Sequence, residues 1–299
     1  MNEKILSTGA TGNVGLPLLT QLYKEHYPVR AAVSSAQSAA KLPHDEIEWV
    51  RFDFTDPTTF EAAFDGVGKL FLMRPPQIAD VAQYIKPVLV YAREAGVRHI
   101  TFLSLLGAEQ NRFIPHHKVE RWLLEGDVAY TLLRAGFFMQ NLDTTHRRDI
   151  ADYDGLFIPA GHGRTAFIDT RDIAAVAAKT LTEAGHENKA YELTGAEALT
   201  YTEVAEIFTA ELGREIRYVN PSLWRFAQRM RQYGHPWNYI VVVATIYLTT
   251  KFGLAAKVTP TVEQLLGRPP IQLRDYVQAY AYKWAAPSTV HSKQGVLNE

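Results

Sequence analysis

Three glycines near the start of the chain have the spacing of a phosphate-binding turn. Gly9, Gly12 and Gly15 follow a short apolar run, Lys4 to Thr8. A strand that ends in such a turn and continues into a helix directs backbone N–H groups and the positive end of the helix dipole at one place, which suits a pyrophosphate. The sequence therefore predicts nucleotide contacts along the whole turn: Gly9, Thr11, Gly12, Asn13, Val14 and Gly15.

The sequence around these glycines favours a dinucleotide site over a purely structural turn. Apolar residues follow at helical spacing up to Leu22, and Val29 to Val33 then has the pattern of a second buried strand. A phosphate-loop NTPase is the competing phosphate binder. No Gly-Lys-Ser/Thr follows the glycines, so the lysine that would reach a γ-phosphate is missing.

The end of the second predicted strand bears on the choice of cofactor. NAD-selective sites place an acidic residue there to hold the ribose hydroxyl. Ser34 and Ser35 occupy this position, so the sequence favours NADP(H) over NAD(H). Lys41 and Arg30 could add positive charge for a 2′-phosphate if they point inward; the alternative is that both are solvated surface charges.

Two further strand ends contribute candidate cofactor contacts. Asp53 and Phe54 follow the third predicted strand, where a carboxylate and a backbone amide could meet an adenine edge. The alternative for Asp53 is a helix cap, and Asp56-Pro57 is a second candidate cap. Arg74 follows the fourth predicted strand and is included among the cofactor contacts.

The elements that must position these residues alternate along the chain. Strand-like runs separated by helix-like stretches predict an α/β fold, a Rossmann-type doubly wound parallel sheet whose ligands bind beyond the carboxyl ends of the strands. Beyond Gly155 a glycine-rich segment precedes helix-dominated sequence, which predicts a smaller, mainly helical C-terminal substrate domain. The predicted strands are Lys4–Thr8, Val29–Val33, Ile47–Phe52, Leu70–Leu72, Ile100–Leu103 and Tyr130–Leu133.

The expected domains are a nucleotide-binding domain at 1–154, with a contribution from about 166–194, a substrate-side domain at 195–287 and a polar tail at 288–299. A net charge of −1 predicts no general attraction to nucleic acid or to an anionic membrane. The absence of cysteine excludes disulfides and thiolate catalysis and fits a cytoplasmic protein. Ile240 to Leu248 is too short to span a bilayer and predicts a buried helix.

Several motifs, in order, resemble the NmrA-like family of atypical short-chain reductases. This resemblance covers nearly the whole chain and implies a Rossmann fold that binds a dinucleotide. The motifs are Thr8 to Gly15, Ala129 to Asn141, Phe167 to Ala174, Tyr191 to Gly195 and Leu266 to Pro270. Members include triphenylmethane-dye and quinone reductases, and also redox-sensing regulators that bind NADP.

Resemblance to the wider superfamily implies two catalytic residues in this chain and shows that a third, the catalytic tyrosine, is missing. Its reductases pair a tyrosine with a lysine four residues later, so that the tyrosine can donate a proton to a carbonyl oxygen. Lys118 resembles that lysine, but Ile114 stands where the tyrosine would be. Ser104 resembles the superfamily serine and could orient a substrate oxygen; the alternative is a loop hydroxyl that closes a turn. His116 and His117 could replace the tyrosine as proton donor, although a histidine pair in such a loop is more often solvated.

Without a tyrosine acid, the expected acceptors are those whose reduced form is already stabilised: quinones, azo or nitro compounds and cationic triarylmethane dyes. The predicted function is transfer of hydride from NAD(P)H to such a planar acceptor, by an enzyme that could form a homodimer. The alternative is a redox sensor without catalysis that acts on a protein partner. The predicted substrate contacts are Phe137, Phe138, Gln140 and Asn141, with core packing as the alternative for the two phenylalanines.

Other possible sites are less supported by the sequence. Asp169 and Asp172 precede an apolar helical run, so capping and the helix dipole explain both acids. The sequence has no spacing typical of a metal site and no Gly-x-Ser-x-Gly elbow. Some of the aromatic residues of the C-terminal part could cover a substrate cleft, although helix packing is the commoner use of most: Trp224, Trp237, Tyr239, Tyr247 and Phe252.

Overall fold

The computed structural model describes residues 3–285 of the chain. These residues form two compact units, each of which we describe by itself. Unit 1 comprises 3–135, 170–193 and 261–268, and unit 2 comprises 136–169, 194–260 and 269–285. The predicted domain bounds stay predictions, and the predicted tail at 288–299 lies outside the described residues.

The strands, numbered along the chain, are β1 (Lys4–Ser7), β2 (Val29–Val33), β3 (Glu48–Arg51), β4 (Val67–Met73), β5 (His99–Leu105), β6 (Ala129–Ala135), β7 (Phe137–Phe138), β8 (Gly155–Phe157), β9 (Arg164–Ile168), β10 (Lys189–Leu193), β11 (Ala198–Thr200) and β12 (Arg217–Val219). All six predicted strands are present within a few residues of their predicted bounds.

The helices are α1 (Gly15–Lys24), α2 (Ala36–Ala39), α3 (Phe60–Phe64), α4 (Val81–Tyr84), α5 (Lys86–Glu94), α6 (Pro115–Glu125), α7 (Arg147–Tyr153), α8 (Thr170–Thr182), α9 (Tyr201–Leu212), α10 (Leu223–Gln232), α11 (Trp237–Lys251), α12 (Thr261–Leu266) and α13 (Leu273–Ala279). Short 3-10 helices lie at Pro57–Thr59, Met139–Asn141 and Ala281–Trp284.

Unit 1 contains a seven-stranded sheet with the order β10-β6-β5-β4-β1-β2-β3. Every pairing in it is parallel, with Leu6 opposite Leu70 between β1 and β4 and Ile5 opposite Val29 between β1 and β2. The chain builds outward in one direction from β1 to β3 and then returns to the other side of β1 with β4. The β1–β4 boundary is therefore the switch point at which such sheets bind ligands, and the predicted fold class is confirmed.

The apolar spacing of the helices explains how they cover this sheet. In α1, Leu18, Leu19 and Leu22 are buried, as their spacing predicts, and α1 packs against α8. The core on the α5 and α6 side contains buried residues from strands and helices, among them Phe64, Leu70 and Val119. Burying such apolar surface is the main free-energy gain of the fold.

Unit 2 contains two small sheets and several helices. The sheets have the orders β11-β9-β7 and β12-β8. Helix α9 begins with a capping box in which Glu203 N donates to Thr200 Oγ1 at 3.2 Å and Thr200 N donates to Glu203 Oε2 at 2.7 Å. Within the described residues, its core includes eight buried aromatic residues, among them Phe208, Tyr247 and Trp284.

The apolar segment Ile240 to Leu248 lies within α11. Ile240 and Tyr247 are buried, as a buried helix requires, but Val241 and Val242 are exposed. The prediction of a buried helix is therefore correct for one face of α11 and wrong for the other. Among residues 3–285, no helix is both long enough and apolar enough to cross a membrane.

Candidate nucleotide-binding site

The turn between β1 and α1 has a conformation that requires glycine. The φ angle of Gly9 is +62°, in the left-handed region, and a Cβ there would lie 1.9 Å from the Met73 Cε. The Gly12 amide donates to the Gly9 carbonyl at 2.9 Å. A Cβ on Gly15 would lie 2.2 Å from that carbonyl oxygen, so α1 can begin this close to the turn only with glycine at this position.

Helix α1 presents its N-terminal end to this turn. Its N-cap residue, Val14, makes no side-chain capping hydrogen bond, and the first turn of Gly15–Lys24 contains no acidic residue. Thr11 is half-buried and Asn13 is exposed. The backbone amides and the positive helix dipole therefore make this end of α1 suitable for an anionic phosphate group.

Thr8 ties the glycine turn to the end of β4. Its Oγ1 accepts a hydrogen bond from Met73 N at 2.8 Å and donates to the Phe71 carbonyl at 3.1 Å. Its backbone amide donates to the same carbonyl at 3.0 Å. Because Thr8 is fully buried, these bonds fix the turn against the first residues of the loop that follows β4.

Arg74 begins that loop and is partly buried. Its Nη1 donates to the Ile78 carbonyl at 2.6 Å and to the Pro75 carbonyl at 2.9 Å. Its Nε is buried and has no hydrogen-bond partner among residues 3–285. A buried guanidinium N–H without a partner is costly, so this group fits a site that receives an anionic or carbonyl acceptor from a ligand.

The serines after β2 are exposed and interact with each other. Ser35 caps the short helix α2, because its Oγ accepts a hydrogen bond from Ser38 N at 3.2 Å. Ser34 Oγ lies 3.3 Å from Ser38 Oγ. Lys41 is exposed. No carboxylate stands at Ser34 or Ser35, so nothing at these two positions would repel a 2′-phosphate.

Arg30 is neither an inward-pointing phosphate ligand nor a solvated surface charge. It is buried, and its Nη1 donates to the carbonyls of Ala62 and Asp65 at 3.0 and 2.8 Å. Its Nη2 lies 2.7 Å from a carboxylate oxygen of Glu48. These contacts give Arg30 a structural role at β2, because all its partners are protein groups.

Asp53 and Phe54 follow β3, as predicted, but their side chains already contact the protein. Asp53 Oδ1 accepts hydrogen bonds from the N and the Oγ1 of Thr55, both at 2.8 Å. The Phe54 ring packs edge-on against Phe52 with a centroid distance of 4.9 Å. Asp56 caps the following 3-10 helix at Pro57–Thr59, as the Asp56-Pro57 pair predicts.

Ser104 lies in β5 and is fully buried. Its hydroxyl donates to Glu120 Oε1 at 2.5 Å. Glu120 is itself buried and accepts from Arg134, whose Nη2 lies 2.7 Å from Oε2 and whose Nε lies 3.1 Å from Oε1. Burial lowers the pKa of Arg134, but the carboxylates of Glu120 and Glu109 outweigh that effect and raise it.

Glu120 and Arg134 are the residues that sequence reasoning missed. The available signal was Arg134 itself, since a cation at the end of the apolar run of β6 requires a buried carboxylate as a partner. The consequence for Ser104 is specific: its hydroxyl hydrogen is directed at a carboxylate, so it is not available to orient a substrate oxygen in this arrangement. Its predicted catalytic role stays a prediction.

Lys118 lies on α6 and is exposed, and Ile114 is the N-cap residue of that helix. The neighbouring histidines are not simply solvated. His116 is buried, its Nδ1 has no partner within residues 3–285, and burial together with the positive charge of Arg74 lowers its pKa to about 3. His117 Nδ1 lies 2.9 Å from the Ala108 carbonyl and donates to it. His116 is therefore neutral near pH 7 and is a poor proton donor.

The predicted substrate contacts all belong to unit 2. Phe137 packs edge-on against Phe167 at a centroid distance of 5.5 Å, which is the core-packing alternative. Gln140 is buried, and its Nε2 donates to Asp169 Oδ1 at 3.0 Å. Phe138 and Asn141 are half-buried. Whether any of the four touches a substrate stays a prediction.

The structure gives the two acids near α8 protein partners, which supports the structural interpretation of both. Asp172 is buried in the first turn of α8 and lies 2.7 Å from Arg268 Nη2. Asp169 accepts from Gln140. Among residues 3–285, no group of three or more His, Cys, Asp or Glu residues could hold a metal ion.

Comparisons with known proteins cover most of the chain. A family model described as the NmrA-like family matches residues 1–265. The chain is 33% identical over 289 residues to the NAD(P)H azoreductase of Xenophilus azovorans, which covers 94% of this chain and 99% of that protein.

Two solved structures are also similar. One is an NADPH-dependent quinone oxidoreductase from Escherichia coli complexed with NADPH, with a TM-score of 0.83 and 30% identity over 92% of this chain and 99% of that one. The other is the Citrobacter sp. triphenylmethane reductase complexed with NADP(H), with a TM-score of 0.82 and 28% identity over 92% of this chain and 99% of that one.

Proposed function

The chain belongs to the NmrA-like family, and we propose that it is an NAD(P)H-dependent reductase that transfers hydride to a planar, electron-poor acceptor such as a quinone, an azo compound or a cationic dye. The observation that carries the proposal is the glycine turn at the N-terminus of α1, located at the switch point of a parallel sheet. The reductases to which the chain is similar support the acceptor class, since their names specify azo, quinone and dye reduction.

The site fits a dinucleotide on features of this chain alone. The turn has the backbone path that close approach of a pyrophosphate requires, and α1 directs its amides and dipole toward it. Thr8 holds that turn against β4, and Arg74 provides a buried Nε–H without a partner beside it. When bound, the reduced nicotinamide supplies the hydride; the protein binds and orients it.

NADP(H) is the preferred cofactor in this proposal. Ser34 and Ser35 provide hydroxyl donors and no negative charge where an NAD-selective site carries an acid. Lys41 is exposed nearby in sequence and can add a positive charge. Two similar solved structures contain NADPH or NADP(H), which supports the same preference.

The acceptor must be electron-poor because none of the three candidate groups is a good proton donor. Ile114 replaces the superfamily tyrosine, His116 is neutral, and the Ser104 hydroxyl donates to Glu120. We propose that water protonates the product, which suffices when the reduced acceptor is already stabilised. Lys118 is then an exposed cation of α6 rather than the partner of an acidic tyrosine.

We also propose that Phe138 and Asn141 contact the acceptor. Phe137 and Gln140 have protein partners in unit 2. In this proposal they act on the acceptor only indirectly, because they hold the 3-10 turn at Met139–Asn141 in place. An aromatic side chain suits a flat, apolar acceptor. The predicted homodimer and the predicted cytoplasmic location stay predictions.

The test is NADPH oxidation by the purified protein with and without a panel of quinone, azo and cationic-dye acceptors, with NADH measured in parallel. We expect acceptor-dependent oxidation that is faster with NADPH. Arg74→Met should weaken NADPH binding about tenfold through the loss of a charge-assisted contact. Arg93→Met, which removes an exposed cation from α5 in the same unit, is the matched control.

Two observations favour a second candidate, a redox sensor that binds NADP(H) without turnover. The chain lacks the superfamily tyrosine, and the hydroxyl of Ser104 is occupied. Binding of NADPH in a titration, combined with no oxidation by any acceptor in the panel, would select the sensor. Ser104→Ala separates the two roles of that serine. Loss of a catalytic serine lowers kcat, whereas loss of a purely structural serine lowers only the stability of the fold.

A further inference from the structure

Helix α11 has apolar residues on both of its faces. Ile240, Val243 and Tyr247, at helical spacing, pack into the core of unit 2. On the opposite face, Val241 and Val242 are 60% and 58% exposed. A helix that is apolar all round is ordinarily buried on all sides, so the outer face of α11 requires a partner.

This outer face forms a continuous stripe. Trp237, Val241 and Phe252 lie toward one side of α11, because their spacing of four and fifteen residues corresponds to nearly whole turns, and Val242 is the exposed residue next to Val241. Trp237 is 51% exposed and Phe252 is 71% exposed. We call these four residues the α11 surface. An exposed apolar set of this kind marks an interaction site more often than a chance feature.

The segment of sequence that contains α11 carries charged residues of one sign only. Residues 216–262 contain no Asp or Glu, although the chain has 32 acidic residues among 299. Its exposed cations are Arg217, which pairs with Glu215, and Arg225, Arg231, Lys251 and Lys257, whereas Arg229 is buried and pairs with Asp149. The net charge of −1 therefore conceals a cationic, acid-free segment of unit 2.

Two of these cations flank the stripe. The Arg231 guanidinium lies 5.7 Å from the centre of the Trp237 ring, at the beginning of α11. Lys251 is the last residue of α11 and is exposed. If α11 lies in the plane of a bilayer surface, these long cationic side chains can reach lipid phosphates while Trp237 and the apolar side chains enter the interface.

We propose that the α11 surface binds peripherally to an anionic lipid bilayer. Charge complementarity favours this partner over a second copy of the chain. A two-fold dimer through this surface would bring the same acid-free, cationic segment against itself, and like charges would repel. With 15 residues, α11 is too short to span a bilayer, so it lies on the membrane.

Flotation of the full chain with lipid vesicles tests the proposal. We expect binding to vesicles of phosphatidylcholine with phosphatidylglycerol, weak binding to phosphatidylcholine alone, and loss of binding in high salt. The double variant Val241→Asn with Val242→Asn should bind at least tenfold more weakly. Trp49→Ser, which removes an exposed apolar side chain of β3 in unit 1, is the matched control and should bind as the parent does.

A second variant keeps the test valid if the asparagine substitutions disturb folding. Arg231→Gln with Lys251→Gln leaves the apolar stripe intact and should weaken binding to the anionic vesicles about fivefold for each cation removed. Absence of flotation with anionic vesicles would overturn the proposal. Equal binding by the parent and both double variants would also overturn it, as would a dimer in sedimentation velocity that the asparagine variant dissociates.

Discussion

At the residue scale, the glycines of the first turn have different physical roles. A Cβ on Gly15 would meet a backbone oxygen that cannot move away, whereas a Cβ on Gly12 would lie 3.2 Å from the Gly9 carbonyl oxygen and 3.3 Å from the flexible Met73 Cε. Gly15 is therefore required for the fold. A Cβ on Gly12 needs its neighbours to give way by only a few tenths of an ångström, and we propose that this glycine leaves space for a ligand.

These roles predict that two substitutions affect different properties, NADPH affinity in one case and stability in the other. Gly12→Val should weaken NADPH binding at least tenfold with little change in Tm, because its side chain occupies the approach of the pyrophosphate. Gly15→Ala should lower the free energy of unfolding by about 1–3 kcal/mol, because the backbone must shift. Fluorescence titration with NADPH and thermal unfolding measure the two effects. Parent-like NADPH affinity in Gly12→Val would mean that the nucleotide binds elsewhere.

At the scale of elements, a buried ion pair joins α6 to the sheet. Glu120 projects from α6, Ser104 from β5 and Arg134 from β6, so the carboxylate is held by two neighbouring strands. The side chain of Glu120 is 2% exposed and that of Arg134 is 15% exposed. Neither charge is well solvated, so each depends on the other.

Removing only the cation should therefore be costly. Arg134→Met leaves the Glu120 carboxylate buried with Ser104 as its remaining partner, and we expect a loss of about 3–5 kcal/mol in the free energy of unfolding. Glu120→Gln removes the buried charge and should cost less, since Arg134 keeps Glu109 at 3.4 Å. Urea unfolding followed by circular dichroism measures both. Equal losses in the two variants would contradict the argument.

At the scale of the whole molecule, neither the net charge nor the usual pKa of histidine describes how charge is distributed in this protein. The chain is nearly neutral, yet one segment of unit 2 is free of acids. Likewise, the histidines do not behave as a uniform set. Burial lowers the pKa of His99 to about 4 and the pKa values of His116 and His146 to about 3, with nearby positive charges adding to the effect.

These three histidines predict acid sensitivity. Their pKa values are depressed in the folded protein and near 6.5 when unfolded, so the unfolded chain binds more protons below pH 6.5. Stability should fall as the pH drops from 6.5 toward 4, by up to about 1.4 kcal/mol per pH unit for each histidine. His116→Phe should flatten this dependence in urea unfolding series, and His162→Gln, at an exposed position, is the control. An unchanged slope in His116→Phe would refute the assignment.

The sequence by itself determined the fold class, the first six strands and the position of the glycine turn. These are local properties: apolar periodicity decides between strand and helix, and the spacing of three glycines decides a turn whose steric limits extend over a few residues. The preference for NADP(H) could also be predicted from the serines that stand in place of an acid after β2, because this preference depends on one charge at one strand end.

Only the tertiary structure decided which side chains remain available for chemistry. Ser104, Arg30 and Gln140 had the right types for a site, but their partners lie 16 to 35 residues away in sequence and become neighbours only on folding. The same holds for α11, whose composition predicted burial. Burial is decided by what packs on each face of a helix, and for the outer face of α11 no element of unit 2 covers Val241 or Val242 within the described residues.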